Sequence, residues 1–181
     1  MFREWAPNAK EIYLIGDFND WKEHGDYRMY HVKNSPGVWE VELQSGAIKH
    51  GDLYKLKVRW NGGEGERIPA WANRVVQDEQ TKIFSAQVWE PENPYRFRKK
   101  VFRAKTDPLM IYECHIGMAQ EEERVGTYNE FREKILPRIA EAGYNCIQIM
   151  AIQEHPYYGS FGYHVSSFFA PSSRFGTPLS L

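Results

Sequence analysis

The sequence predicts a chain of two dissimilar parts: a small antiparallel β-sandwich of the immunoglobulin-like kind, followed by a βαβ unit with parallel strands. Three observations predict this. In the first half, short apolar or alternating runs are separated by clusters of turn-forming residues, the spacing expected of sandwich strands. In the second half an apolar run, a helix with one apolar face and another apolar run follow in that order. Between them Arg98-Lys99-Lys100, Arg103, Lys105 and Asp107-Pro108 interrupt the apolar patterning. A boundary is therefore expected at Lys99 to Pro108, giving domains 1–106 and 107–181.

In the first part, Ile12-Tyr13-Leu14-Ile15, Val38 to Leu43, Leu53 to Val58 and Lys82-Ile83-Phe84 are expected strands. The second and third alternate with period 2, which turns one face to a core and the other to water. Gly16-Asp17-Phe18-Asn19-Asp20, Asn34-Ser35-Pro36-Gly37 and Asn61-Gly62-Gly63 supply turn chemistry between strands. Trp5, Trp39 and Trp89 fall at strand-like positions and are expected in the core. Trp21 and Trp60 adjoin turn residues, which suits either ligand contact or local packing.

The second part opens with a strand over Met110 to Ile116. Thr127-Tyr128-Asn129-Glu130 reads as a capping box, in which threonine and glutamate satisfy each other's backbone N–H groups at a helix start. Phe131, Ile135 and Ile139 then recur every fourth residue on one buried face. Pro137 has no N–H to donate and its ring clashes with the preceding turn, so a kink or restart is expected at Leu136-Pro137. Gly143 suits a left-handed helix stop, and Tyr144 to Met150 is the second strand. A right-handed crossover makes the two strands parallel, and parallel folds bind ligands at the carboxyl ends of their strands. There the chain enters Tyr157-Tyr158-Gly159-Ser160-Phe161-Gly162-Tyr163-His164-Val165-Ser166-Ser167. Aromatic rings, glycines and polar tips in one short loop suit it to grip a sugar.

Composition narrows the partners. With 23 Lys+Arg against 24 Asp+Glu the net charge is −1, which provides no basic field for nucleic acid or an anionic membrane. No signal segment opens the chain and no run approaches the ~18 apolar residues of a membrane span, so a soluble cytoplasmic protein is expected. Cys114 and Cys146 lie within apolar runs and read as reduced structural residues. His115, His155 and His164 sit on different elements without compact ligand spacing, so no metal is expected, and no phosphate-cradling glycine motif calls for a cofactor. Glu121-Glu122-Glu123 reads as a solvated turn.

A longer series of motifs carries a resemblance. Ile111-Tyr112-Glu113-Cys114-His115-Ile116-Gly117, Leu136-Pro137-Arg138-Ile139, Gly143-Tyr144-Asn145, Met150 to Pro156 and Phe175-Gly176-Thr177-Pro178 resemble the α-1,4-glucan (glycogen or starch) branching enzymes of the α-amylase superfamily. Upstream, Arg3 to Ala9, Gly16-Asp17-Phe18-Asn19-Asp20-Trp21 and Trp60-Asn61-Gly62-Gly63 resemble the family 48 carbohydrate-binding module that precedes the barrel in these enzymes. The resemblance implies that the second part opens a (β/α)8 barrel. It implies that Tyr163 stacks beneath the sugar at the cleavage subsite; His164 beside it, read from the loop itself, is a candidate substrate contact that suits hydrogen bonding within the loop or to substrate. It also implies that Trp21, Lys55 and Trp60, the last matched alternatively by Trp71, meet glucan on the accessory module.

The same resemblance implies double displacement by an aspartate nucleophile, a glutamate acid/base and a stabilising aspartate, all on later barrel strands beyond Leu181. Glu113 and Glu154 match none of these. Both ends of the chain read as truncated, and the chain alone is expected to be inactive, partnered by α-1,4-glucan (glycogen, amylose, amylopectin) and by the remainder of the barrel. The alternatives are a non-catalytic glucan-binding module and a debranching or hydrolysing relative.

Overall fold

The computed structural model describes residues 1–97 and 108–181; the boundary expected from Lys99 to Pro108 lies, apart from Pro108, outside them. The chain divides into two compact units, Met1–Pro91 with Ser167–Ala170, and Glu92–Ser166 with Pro171–Leu181.

The first unit contains β1 (Phe2–Trp5), β2 (Ala9–Gly16), β3 (Tyr30–His31), β4 (Val38–Val41), β5 (Leu53–Trp60), β6 (Gly63–Arg67), β7 (Val75–Gln77) and β8 (Phe84–Gln87). One antiparallel sheet runs β1-β4-β3 and the other β2-β5-β8-β7. β8 pairs with β5 at Leu53 and Tyr54, while β6 pairs with β5 from Leu56 to Trp60. The alternation of β5 buries Tyr54, Leu56 and Val58, which meet Ile12 and Leu14 of β2 and Trp39 and Val41 of β4 in one core. Each such side chain contributes about 1.5–3 kcal/mol when fully buried. Two sheets closed on a common core make the expected sandwich.

Three details differ from expectation. Trp5 is 58 % exposed rather than in the core, because the alternation of β1 turns Glu4 inward instead. Glu4 is buried but well partnered: its carboxylate accepts from the N–H groups of Trp5 (3.0 Å) and Ala70 (2.8 Å) and pairs with Arg67 at 3.1 Å. The strand expected at Lys82 begins only at Phe84, since Lys82 holds φ 61° at the end of a turn that the Asp78 carboxylate organises through the Gln80 and Thr81 N–H groups. Trp89 follows β8 outside any strand and is half-buried, its ring 5.5 Å from the Arg74 guanidinium.

In the second unit β9 (Ile111–His115) and β10 (Cys146–Met150) pair in parallel, Ile111 opposite Cys146 and His115 opposite Met150. The capping box forms: the Thr127 hydroxyl accepts from the Glu130 N–H, and the Glu130 carboxylate accepts from the Thr127 N–H. The helix then breaks as Pro137 demands. α1 (Tyr128–Glu130) passes into a π-helical turn (Phe131–Ile135), and α2 (Leu136–Glu141) restarts with the proline in its first turn. Gly143 ends the helix at φ 92°. Phe131 and Ile139 are buried with Cys114, Ile116, Tyr128 and Phe175. Burial, then Glu113, push the Cys114 thiol above its ordinary range, as suits an inert structural cysteine. Among the described residues no helix is long and apolar enough to cross a membrane.

Candidate functional site

The aromatic loop is held at the end of β10 by backbone geometry. Ala151, directly after the strand, takes φ 57°, and Phe161 and Gly162 take 51° and 83°. Gly162 lies so close to Ala151 that any side chain at 162 would overlap the Ala151 backbone. Left-handed residues in series are costly outside glycine and tend to gather where a loop must present a ligand. Ser160 Oγ donates to the Tyr157 carbonyl at 2.7 Å, and the Tyr163 N–H donates to the Ser160 carbonyl at 3.0 Å. Tyr163 is left 77 % exposed, and His164 beside it is also exposed. The loop thus offers a ring and an imidazole to solvent from a fixed frame.

Beneath the loop lies a cluster that no motif singled out as a unit. His115, the last residue of β9, meets the rings of Tyr158, Phe161 and Phe175 edge to face at 6.1, 6.3 and 5.8 Å. Its two ring nitrogens are buried and have no hydrogen-bond partner among the described residues. Burial, then the neighbouring His155, push its pKa below the ordinary value, so the ring is neutral at pH 7. His155 is fully buried, with Nδ1 2.9 Å from the Gln153 carbonyl. A carbonyl can only accept, so Nδ1 carries the proton. Glu154 is fully buried as well, and accepts from the N–H groups of His155 (3.2 Å) and Ser173 (2.7 Å). It ties backbone together. Glu113 is exposed and accepts from Gln148 Nε2 at 2.8 Å across the strand pair. A cavity of about 800 Å³ between β9 and the helix is lined by Cys114, His115, Phe131 and Ile139, and none of the loop residues borders it.

In the first unit the structure separates residues that the resemblance grouped. Lys55, Lys57 and Arg59 alternate onto the solvent face of β5, where Lys55 pairs with Glu66 at 3.5 Å and Lys57 with Glu64 at 2.7 Å. A groove of about 660 Å³ is lined by Asp17, Leu53, Ser85, Gln87, Gln77 and Asp78. Leu53 pairs with Gln87 and lies two residues from Lys55, so groove and lysine share that face. Asp17, on the groove's rim, accepts the Trp21 indole N–H at 2.9 Å, and Trp21 is 37 % exposed. Trp60 falls on the other parity of β5. Its indole lies over Gly63 and Gly65 of β6, within 3.3 Å of where a Cβ would stand on either.

Two further indoles are exposed: Trp5, expected in the core, and Trp71, which the resemblance offers as the alternative to Trp60. Trp5 lies beside Pro7 and Gly37, and Trp71 follows Ala70, whose N–H is bound by Glu4 next to Trp5. With Arg67 and the Ala70 N–H to partner it, Glu4 takes the inward position and leaves the next residue outside.

Within this sheet-on-sheet unit, residues 1–72 match the family model of carbohydrate-binding module 48, the isoamylase N-terminal domain. Across both units the chain is similar in sequence to proteins named 1,4-alpha-glucan-branching enzyme. It is 43 % identical over 99 % of its length to the 1,4-alpha-glucan-branching enzyme of Dictyostelium discoideum, and covers 27 % of that protein. It is 46 % identical over 99 % of its length to the chloroplastic/amyloplastic 1,4-alpha-glucan-branching enzyme 2-2 of Arabidopsis thaliana, and covers 23 % of it. The pullulanase of Bacillus acidopullulyticus shares the fold, with a TM-score of 0.71 at 16 % identity over 96 % of this chain and 24 % of that one. The chain therefore spans about a quarter of the length of the curated relatives it matches.

Proposed function

We propose that this chain is part of an α-1,4-glucan branching enzyme acting on glycogen, amylose or amylopectin. In this reading the first unit holds a glucan chain and the second opens a (β/α)8 barrel at 107–181. The observation that carries it is an alignment at 43 % overall identity that runs through both units, rather than stopping at the binding module. Tyr163 offers its ring to the apolar face of the sugar at the cleaved bond, with His164 as a polar neighbour, while Trp21, Lys55 and Trp60 meet glucan on the first unit. Trp5 joins them on the strength of its exposed indole.

The chemistry is two displacements at one carbon. An aspartate attacks the anomeric carbon as the C1–O4 bond breaks, and a glutamic acid protonates the departing O4. The 6-hydroxyl of a second glucan then attacks C1, gives its proton to the glutamate and releases the aspartate, leaving an α-1,6 linkage. Those carboxylates belong to barrel strands outside this stretch, so the 181 residues by themselves are inactive. The balanced net charge supports neither nucleic acid nor an anionic membrane as a partner. The same reading places the protein in the cytoplasm, although the Arabidopsis relative is chloroplastic/amyloplastic.

The test is a chimera that continues this chain with the corresponding remainder of the Dictyostelium enzyme. It is expected to lower the iodine colour of amylose and to create branches that a debranching enzyme then removes, and Tyr163→Ala in the chimera is expected to slow this at least about tenfold, or ~1.4 kcal/mol of transition-state stabilisation. Reducing sugar released without new branches would contradict the reading.

A further inference from the structure

We infer that Asp17 is a positioning residue that fixes the Trp21 indole as a sugar-stacking plane. The inference rests on the reading of the first unit as an α-glucan-binding module and adds what makes one of its contacts work.

The turn after β2 is over-determined. Asn19 Oδ1 accepts from the Gly16 N–H at 2.9 Å, and Asn19 Nδ2 donates to the Leu14 carbonyl at 3.0 Å. Asp20 and Trp21 follow at φ 53° and 58°, two left-handed residues in succession, and the Trp21 N–H closes the turn on the Gly16 carbonyl at 2.9 Å. This fixes where the indole starts but not where its plane lies, since rotation about two side-chain bonds remains. Asp17 removes that freedom. One carboxylate oxygen accepts from Trp21 Nε1 at 2.9 Å, and the other accepts from the Leu53 N–H of β5 at 2.7 Å.

The carboxylate therefore bridges the indole to the start of a core strand. A ring held by its only polar atom has lost its rotational freedom before a sugar arrives, and that entropy is not charged against binding. The ring face, which has no hydrogen-bonding group, stays available for stacking.

The test is a double-mutant cycle on the 181-residue chain, reading the affinity for maltoheptaose and the Trp21 indole N–H signal by ¹⁵N-edited NMR. Trp21→Ala is expected to weaken binding. Asp17→Ala is expected to weaken it about three- to tenfold, to shift the Trp21 indole signal upfield and to broaden it, with the signals of the other five indoles in place. Asp17→Asn, which keeps one accepting oxygen, is expected to fall between Asp17→Ala and the parent. In the Trp21→Ala background Asp17→Ala is expected to change affinity no further. If Trp21→Ala leaves affinity unchanged, the reading of Trp21 as a glucan contact falls and the inference with it. If Trp21→Ala weakens binding but Asp17→Ala does not, or does so equally without Trp21, the positioning role alone is overturned.

Discussion

Gly162 lies with its α-carbon against the Ala151 backbone, and the two residues hold left-handed φ angles of 83° and 57°. The end of β10 and the middle of the aromatic loop are thereby locked to each other without a side chain between them. Two substitutions are expected to act with opposite sign. Gly162→Ala places a methyl where the Ala151 backbone stands and should destabilise the chain by roughly 2 kcal/mol. Ala151→Gly relieves a left-handed alanine and should be neutral or stabilise by up to about 1 kcal/mol. Urea unfolding of the two variants beside the parent measures both.

The indole of Trp60 has a similar dependence on glycine. A Cβ at Gly63 or Gly65 would stand 3.2 or 3.3 Å from the ring, close enough that the ring must move. Gly65→Val is expected to change the near-ultraviolet circular dichroism of the tryptophans while leaving the chain folded, because valine itself suits a strand. The same substitution in a Trp60→Phe background should leave the tryptophan bands alone. If the bands change equally in both backgrounds, Trp60 is not the ring that β6 supports.

Two titrating groups separate the acid sensitivity of the second unit into windows. His115 is held below its ordinary pKa by burial and then by His155, so the unfolded chain takes up its proton first. Its contribution is complete above about pH 6.5 and declines as pH falls from there toward the folded value. Glu130 is held at about 2 by Arg124 and then Thr127, so its contribution is complete above about pH 4.3 and is lost as pH falls toward 2. Stability against pH should lose its upper slope in His115→Leu and its lower slope in Glu130→Gln. A single unchanged slope in both variants would contradict the assignment.

The elements legible in the sequence were those whose signal is local. The capping box at Thr127, the restart at Pro137 and the left-handed Gly143 each follow from one residue's geometry, and each formed as expected. β6 was not legible as a strand: Gly63-Glu64-Gly65-Glu66-Arg67 has no apolar alternation, and only pairing with β5 and the cover of Trp60 make it one. Trp5 was misplaced for a related reason. A burial guess from residue type cannot see that Glu4 finds Arg67 and Ala70 as partners, and those partners lie far along the chain. The loop was found by composition, but its fixing by Ala151 and the His115 cluster beneath it were not, because both depend on contacts across the βαβ unit.

The proposed function makes α-1,4-linked glucan the ligand of this chain. The most direct measurement is native electrophoresis of the 181-residue chain through gels containing glycogen, with matched gels containing a β-1,4-linked glucan. Retardation by glycogen alone, reduced in a folded Trp21→Ala variant, is the predicted result. Equal mobility of the folded chain in glycogen, β-glucan and plain gels would contradict it.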